Sequence, residues 1–277
     1  KIASNTFANA VGAHDNESGY RSKAIGFNDA ASGDRSDAFG YYNSSSGPAS
    51  NAFGISNTAS GTGSVAFGND NTATNSDGSA VGVGNNATGP RDSALGNNNH
   101  AYQRYSSAIG FSNSAGYKSD ALGYRNTASG DASSAVGFYN TAAGRLSSAI
   151  GTGNDAIGES SSAIGRNNSA KQSDSSAVGF SNQAWAYHAD AFGIYNTVTG
   201  DNSNAFGRSN TAGGDSSNAF GANNSASGDV SSAIGVGNVS SGVSSSAFGR
   251  NDSASGDNSS AFGFFNSATG DNSSAFG

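Results

Sequence analysis

The sequence predicts an all-β protein, a parallel β-solenoid or β-roll of about 20 fourteen-residue coils. Three observations predict it. The triplet Ala, apolar, Gly recurs 20 times, from Ala10-Val11-Gly12 to Ala275-Phe276-Gly277. Neighbouring triplets lie 14 residues apart except Ala108 and Ala121, where the spacing is 13. Gly makes up 41 of the 277 residues, about two per period. Each would cost up to ~1 kcal/mol in a helix, and no heptad seam runs through the chain, so a helical reading fails.

Within each period the elements follow in order. The third residue after the triplet Gly is Asn in 16 of 19 coils and Asp (Asp15, Asp29, Asp252) in the others. The seventh is Gly in most coils, with Asn75, Gln103, Gln172 and Ala186 replacing it in others. These spacings predict two short strands joined by two tight turns, with Asn and Gly at the positions of positive φ. Rungs stacked at ~4.8 Å would give a rod of roughly 95 Å. The expected organisation is a single repeat array over residues 1–277 without caps, with one coil a residue short between Gly110 and Gly123.

Stacking turns each column into a ladder. The Asn column (Asn57, Asn126, Asn140, Asn196, Asn210, Asn266) is expected to pass amide hydrogen bonds from rung to rung. The apolar column holds Phe39, Phe53, Phe67, Phe192, Phe206, Phe220, Phe248 and Phe262, expected to stack in a core or a chain interface. Strand alternation puts the invariant Ala before each of them on the opposite face. That face admits only a methyl group, as in a narrow roll interior or a close contact with another chain. A thin roll buries little apolar area, so partner chains are expected. With Ala3 already in a coil position and Gly277 inside a triplet, the expectation is a homo-oligomer or an end-to-end polymer.

Just after the triplet Gly, two variable positions read as an exposed corner. Phe27, Tyr41, Phe111, Tyr124, Phe138, Phe180 and Phe264 form a candidate binding stripe there, since aromatic residues are enriched in contact hot spots. Clamping of neighbouring rungs or filling of a chain interface explains them equally well.

Composition excludes several functions. A formal charge of −7 with thinly spread Lys and Arg argues against nucleic acid as a partner. No apolar run approaches the ~20 residues of a membrane helix, so this segment is not expected to insert in a membrane. Met is absent even at position 1, and the chain reads as processed or excerpted. There is no Cys, and His14, His100 and His188 fall in different coils, so no catalytic residue, cofactor or metal centre is expected. Asp201, Asp215 and Asp229 stand in consecutive rungs. A Ca²⁺ ladder is one reading; Asp accepting backbone donors in a Gly-Asp turn is the favoured one.

At this point the residues resemble a known family. Ser161-Ser162-Ala163-Ile164-Gly165 and Ser231-Ser232-Ala233-Ile234-Gly235, with Ala59-Ser60-Gly61 and Ala128-Ser129-Gly130, are similar to the head repeats of YadA-like trimeric autotransporter adhesins. The resemblance covers the chain, although the Val of the family core is Ser, Asn or Asp in most coils, Val65 being an exception. It implies a left-handed β-roll, a homotrimer, and display outside the bacterial cell. The implied partners are host matrix protein, glycan or an abiotic surface. A self-assembling extracellular filament with no specific receptor is the alternative; curli-type repeats, similar through Gly54-Ile55-Ser56-Asn57-Thr58-Ala59, are its analogue.

Overall fold

The computed structural model describes residues 2–5 and 7–277. They form two compact units, Lys1–Tyr139 and Asn140–Gly277. Both are parallel β-solenoids built from the same coil. Each coil contributes a five-residue strand, such as Asn51–Ile55, and a two-residue strand, such as Thr58–Ala59. In the first unit Phe53 pairs with Phe67 and Thr58 with Thr72; in the second Phe192 pairs with Phe206 and Thr197 with Thr211. Residues at the same place in the repeat therefore stand over one another, Ala52 over Ala66 and Gly54 over Gly68 in the first unit and Ala191 over Ala205 in the second.

The interior is small and uniform. The invariant Ala of the long strand and the Ala of the short strand face each other inside, each fully buried, as with Ala52 and Ala59 or Ala205 and Ala212. Ser45 and Ser240, which replace the second Ala, remain buried and bond across the interior to Ser50 and Ser245 at 2.7 and 2.6 Å. The invariance of the triplet Ala thus reflects a roll interior one methyl group wide on each side, the first of the two explanations raised by the sequence.

The turns differ from the sequence expectation. Asn is not the residue with positive φ. That conformation falls one position earlier, at Ser56 (φ 55) or Tyr195 (φ 57), and again seven residues later, at Gly63 (φ 67) or Asn202 (φ 56). The Gly at the seventh place does not need positive φ; it is small because a Cβ on Gly200 would lie 1.9 Å from the carbonyl oxygen of Gly214. Only the triplet Gly combines both constraints, as at Gly54 (φ 119). The coil is therefore two half-coils of seven residues, Asn-x-Ala-x-Gly-x-x and Ser-x-Ala-x-Gly-x-x, each ending in a left-handed residue. The first, third and fifth residues point inward.

The corner backbone is held by the rung before it, with Ser56 N–H donating to Tyr41 O at 2.9 Å and Gly63 N–H to Pro48 O at 2.9 Å. Any residue type is found at these corners, including β-branched Val230 at φ 58. A left-handed conformation costs a residue with a Cβ roughly 1–2 kcal/mol. Val230→Gly is accordingly expected to stabilise the second unit by about 1 kcal/mol, measured by chemical denaturation.

The short coil loses one outward residue between Ala115 and Gly116. Asn113, Ala115, Gly116 and Ser119 all stay buried and Lys118 keeps the corner conformation at φ 54. Since the missing position points outward, the ladders on either side remain in register, with Ser114 paired to Thr127.

Candidate interaction surface

The Asn column is the interior's polar seam. Asn57 Nδ2 donates to Asn43 Oδ1 (3.0 Å), to Phe53 O of its own coil (2.8 Å) and to Gly68 O of the next (2.8 Å). Its Oδ1 accepts from the backbone and the amide of Asn71 at 3.1 and 2.9 Å. The same pattern repeats at Asn196 and Asn210 in the second unit, and Asn126 bonds Asn113 across the short coil at 3.0 Å. Asn140 bonds Gly151 O at 2.8 Å and accepts from Asn154, and Asn266 takes Asp252 as its acceptor at 3.1 Å. Buried amides are satisfied at both ends, so the seam is structural and presents nothing to a ligand.

The outer face of the long strands is different. In Asp37–Tyr41 the buried residue is Ala38, while Phe39 and Tyr41 both point outward, two residues apart on one face. The structure thus joins two sets that the sequence treated separately. Phe39, Phe53, Phe67, Phe192, Phe206, Phe220, Phe248 and Phe262 do not lie in the interior, which is lined chiefly by Ala, Ser and Asn. They form an outer column, half-buried by their own neighbours, with Phe67 exposed at 56%. Beside them runs the aromatic stripe. Phe27, Tyr41, Phe111, Tyr124, Phe138, Phe180 and Phe264 are each the last residue of a long strand and not corner residues, which corrects the sequence reading. The corner proper is the following residue, such as Tyr42 or Phe265.

Both columns stack. Phe192 and Phe206 are 4.9 Å apart at 3°, Phe206 and Phe220 5.1 Å at 8°, and Phe248 and Phe262 4.9 Å at 3°. In the stripe, Phe111, Tyr124 and Phe138 stack at 5.0 and 4.9 Å, and Phe27 lies on Tyr41 at 5.3 Å. Arg166 and Arg250 cover the faces of Phe180 and Phe264 at 5.4 and 5.6 Å. Where aromatics are missing, Ile and Val continue the surface, as with Ile55 (47% exposed), Ile194 and Val236. Each unit therefore carries an apolar sheet face two columns wide. An exposed apolar face of this extent marks an interaction surface.

The chain's long-strand core and its coil length are those of one repeat model, the YadA head domain repeat, which matches nine stretches, including residues 45–113 in overlapping copies, 116–140, 142–182, 226–251 and 254–277. This chain belongs to the YadA head repeat family. No curated protein matches it. Membership of the YadA head repeat family supports an extracellular structural or adhesive role for the solenoid.

The remaining residues of interest lie elsewhere on the YadA-type coil. Asp201, Asp215 and Asp229 occupy an exposed corner, where Asp201 Oδ1 accepts Tyr187 N–H, Asp215 Oδ1 accepts Asp201 N–H and Asp229 Oδ1 accepts Asp215 N–H, all at 3.0 Å. Each carboxylate caps a backbone donor of the rung before it. Among the described residues no His, Asp and Glu gather in a group able to hold a metal ion. Pro48 and Pro90, the chain's two prolines, stand at this same corner position, where no ladder hydrogen bond needs their N–H.

Proposed function

We propose that this chain is the repeat segment of a bacterial extracellular adhesive fibre whose long-strand faces pack against other copies of itself. The observation that carries the proposal is the pair of apolar columns on one outer face, stacked within each unit and uncovered in the single chain. Family membership supports self-association, and the homotrimer implied by the resemblance would cover three such faces at one shared axis. In this reading the aromatic stripe belongs to the chain interface. Attachment to matrix protein, glycan or an abiotic surface then falls to the exposed corners.

Sedimentation of the purified chain tests it. The wild type is expected to run as a discrete oligomer. The double substitution Phe206→Ser and Phe220→Ser, which leaves the methyl-lined interior intact, is expected to weaken the oligomer at least tenfold. Burial of a Phe contributes about 1.5–3 kcal/mol, so two lost per chain exceed that factor comfortably. A monomeric wild type at high concentration would overturn the proposal. Particles that lengthen with concentration, seen by electron microscopy, would favour the receptor-free filament over the adhesin head.

A further inference from the structure

The polar seam is interrupted by acids. At Asp29 the amide of the regular coil is replaced by a carboxyl of the same shape. Asp29 Oδ1 does what an Asn oxygen does, accepting Asn43 N–H at 2.8 Å and Asn43 Nδ2 at 3.0 Å. Its Oδ2 occupies the place of the amide nitrogen. A Cβ placed on Gly26 would lie 2.5 Å from Asp29 Oδ2 and 2.0 Å from Gly40 O, and one on Gly40 meets Asn43 Nδ2 and Gly54 O in the same arrangement. In every regular rung that nitrogen donates to two carbonyl oxygens. Asp29 Oδ2 is buried with no hydrogen-bond partner, as are Oδ2 of Asp15 and Asp252 at the same place in the seam and Oε2 of Glu17, which fills a short-strand Ala position one rung earlier than Asp29 and so doubles the buried acid in this part of the first unit. Glu17 reaches across the interior so that its Oε1 accepts the N–H of Ala24.

We infer that Asp29 and Glu17 are carried in the folded chain as neutral carboxylic acids, Asp29 donating its Oδ2 proton where Asn would donate an amide hydrogen, and that these rungs form a pH-sensitive joint in the first unit. An ionised Oδ2 in that slot would face carbonyl oxygens and leave a buried charge unpaired. Burial raises both carboxyls above the usual carboxylate range, and the nearby charges are the wrong sign to relieve it. Asp15 raises both, and Asp37 raises Glu17; the Asn43 amide, the Gly40 N–H and the Ala24 N–H offset only part. His14, Arg21 and Lys23 of the preceding coil, and Asp34 and Arg35 of Asp29's own coil, are all exposed on the outside. The following rung, residues 41–54, contributes only Tyr41 and Tyr42, also outside. Asp92 provides the contrast. Burial raises it too, yet its two oxygens accept Gly89 N–H (2.6 Å) and Ser106 N–H (3.0 Å), so neither is orphaned.

The sign follows from linkage. A carboxyl whose folded value lies above its unfolded value binds more protons folded than unfolded. Its stabilisation is complete below the ordinary carboxylate range and is lost as pH rises through the folded value. The first unit should therefore be firmest in acid and loosen at residues 12–43 toward neutral pH.

The test is a carboxyl ¹³C titration of the folded chain, with Asp29→Asn to assign the resonance, alongside melting curves across the same pH range. The Asp29 carboxyl is expected to titrate above the exposed aspartates. Wild type is expected to lose melting temperature as pH rises, while Asp29→Asn with Glu17→Ala, which restores the regular coil, is expected to melt higher at neutral pH and with a flatter dependence. An Asp29 resonance that ionises together with the exposed aspartates would overturn the inference, as would a repaired variant with the wild-type slope.

Discussion

Replacing Gly207 by Ala is expected to abolish folding of the coils around it. The added Cβ would lie 2.1 Å from Gly221 O and 3.0 Å from its carbonyl carbon, at a residue whose φ is 119. Both contacts are with backbone of the next rung, which cannot swing aside as a side chain could. The rung would have to separate, and with it the strand pairing Asn204–Asn218 to Gly207–Gly221. The expected cost exceeds about 4 kcal/mol, the range reserved for backbone and core disruption. Circular dichroism and proteolysis of the variant check it. Gly200→Ala serves as the comparison: its Cβ also meets backbone, at 1.9 Å from Gly214 O, but its φ is not in the left-handed region and the same position admits Ala186 elsewhere in the chain, so its effect is expected to be smaller.

The second large effect is expected from Asn196→Ala. The substitution removes donation to Asn182 Oδ1 (3.0 Å), Phe192 O (2.8 Å) and Gly207 O (2.9 Å) and orphans the backbone N–H of Asn210, which now donates to Asn196 Oδ1 at 3.0 Å. Each buried polar group left without a partner costs about 1–3 kcal/mol, so a total on the order of 3 kcal/mol follows even with some relaxation. Urea denaturation gives the value. Asn196→Asp at acidic pH is expected to recover most of the loss, because a protonated carboxyl can fill the amide's place.

Much of this was legible in the sequence because solenoid stacking turns a period into a structure. The Ala-apolar-Gly triplet marks every long strand, and the near-invariant Asn column marks the ladder of amide hydrogen bonds. The corners were not legible in the same way. Their constraint is on φ alone, and the rung below supplies the hydrogen bond, so Ser56, Arg91, Asn202 and Val230 all serve. No residue type marks the position, whereas the neighbouring Asn is nearly invariant and draws the turn assignment to itself. The seven-residue half-coil was hidden for a related reason: Asn in one half and Ser in the other do the same inward job without looking alike. The outer face is hidden because two variable residues after Gly look like one corner, whereas the strand runs one residue further and keeps Tyr41 on the Phe39 side. The buried acid at Asp29 read as another turn former. Its meaning depends on what lies opposite the second oxygen, which only the packed rung reveals.

The ladder hydrogen bonds of each unit run along the stacking direction, rung to rung, and not across it. A pull along that direction loads the bonds within one rung in parallel and successive rungs in series, so one rung can yield before the others. Each unit should then yield coil by coil, each release lengthening the chain by roughly 45 Å as fourteen residues straighten from a single ~4.8 Å step. Because every coil offers its neighbour the same template, a peeled coil finds its place again without a search for register beyond a shift of one whole period. The monotony of the columns thus lets each unit give up length under load in small, recoverable steps.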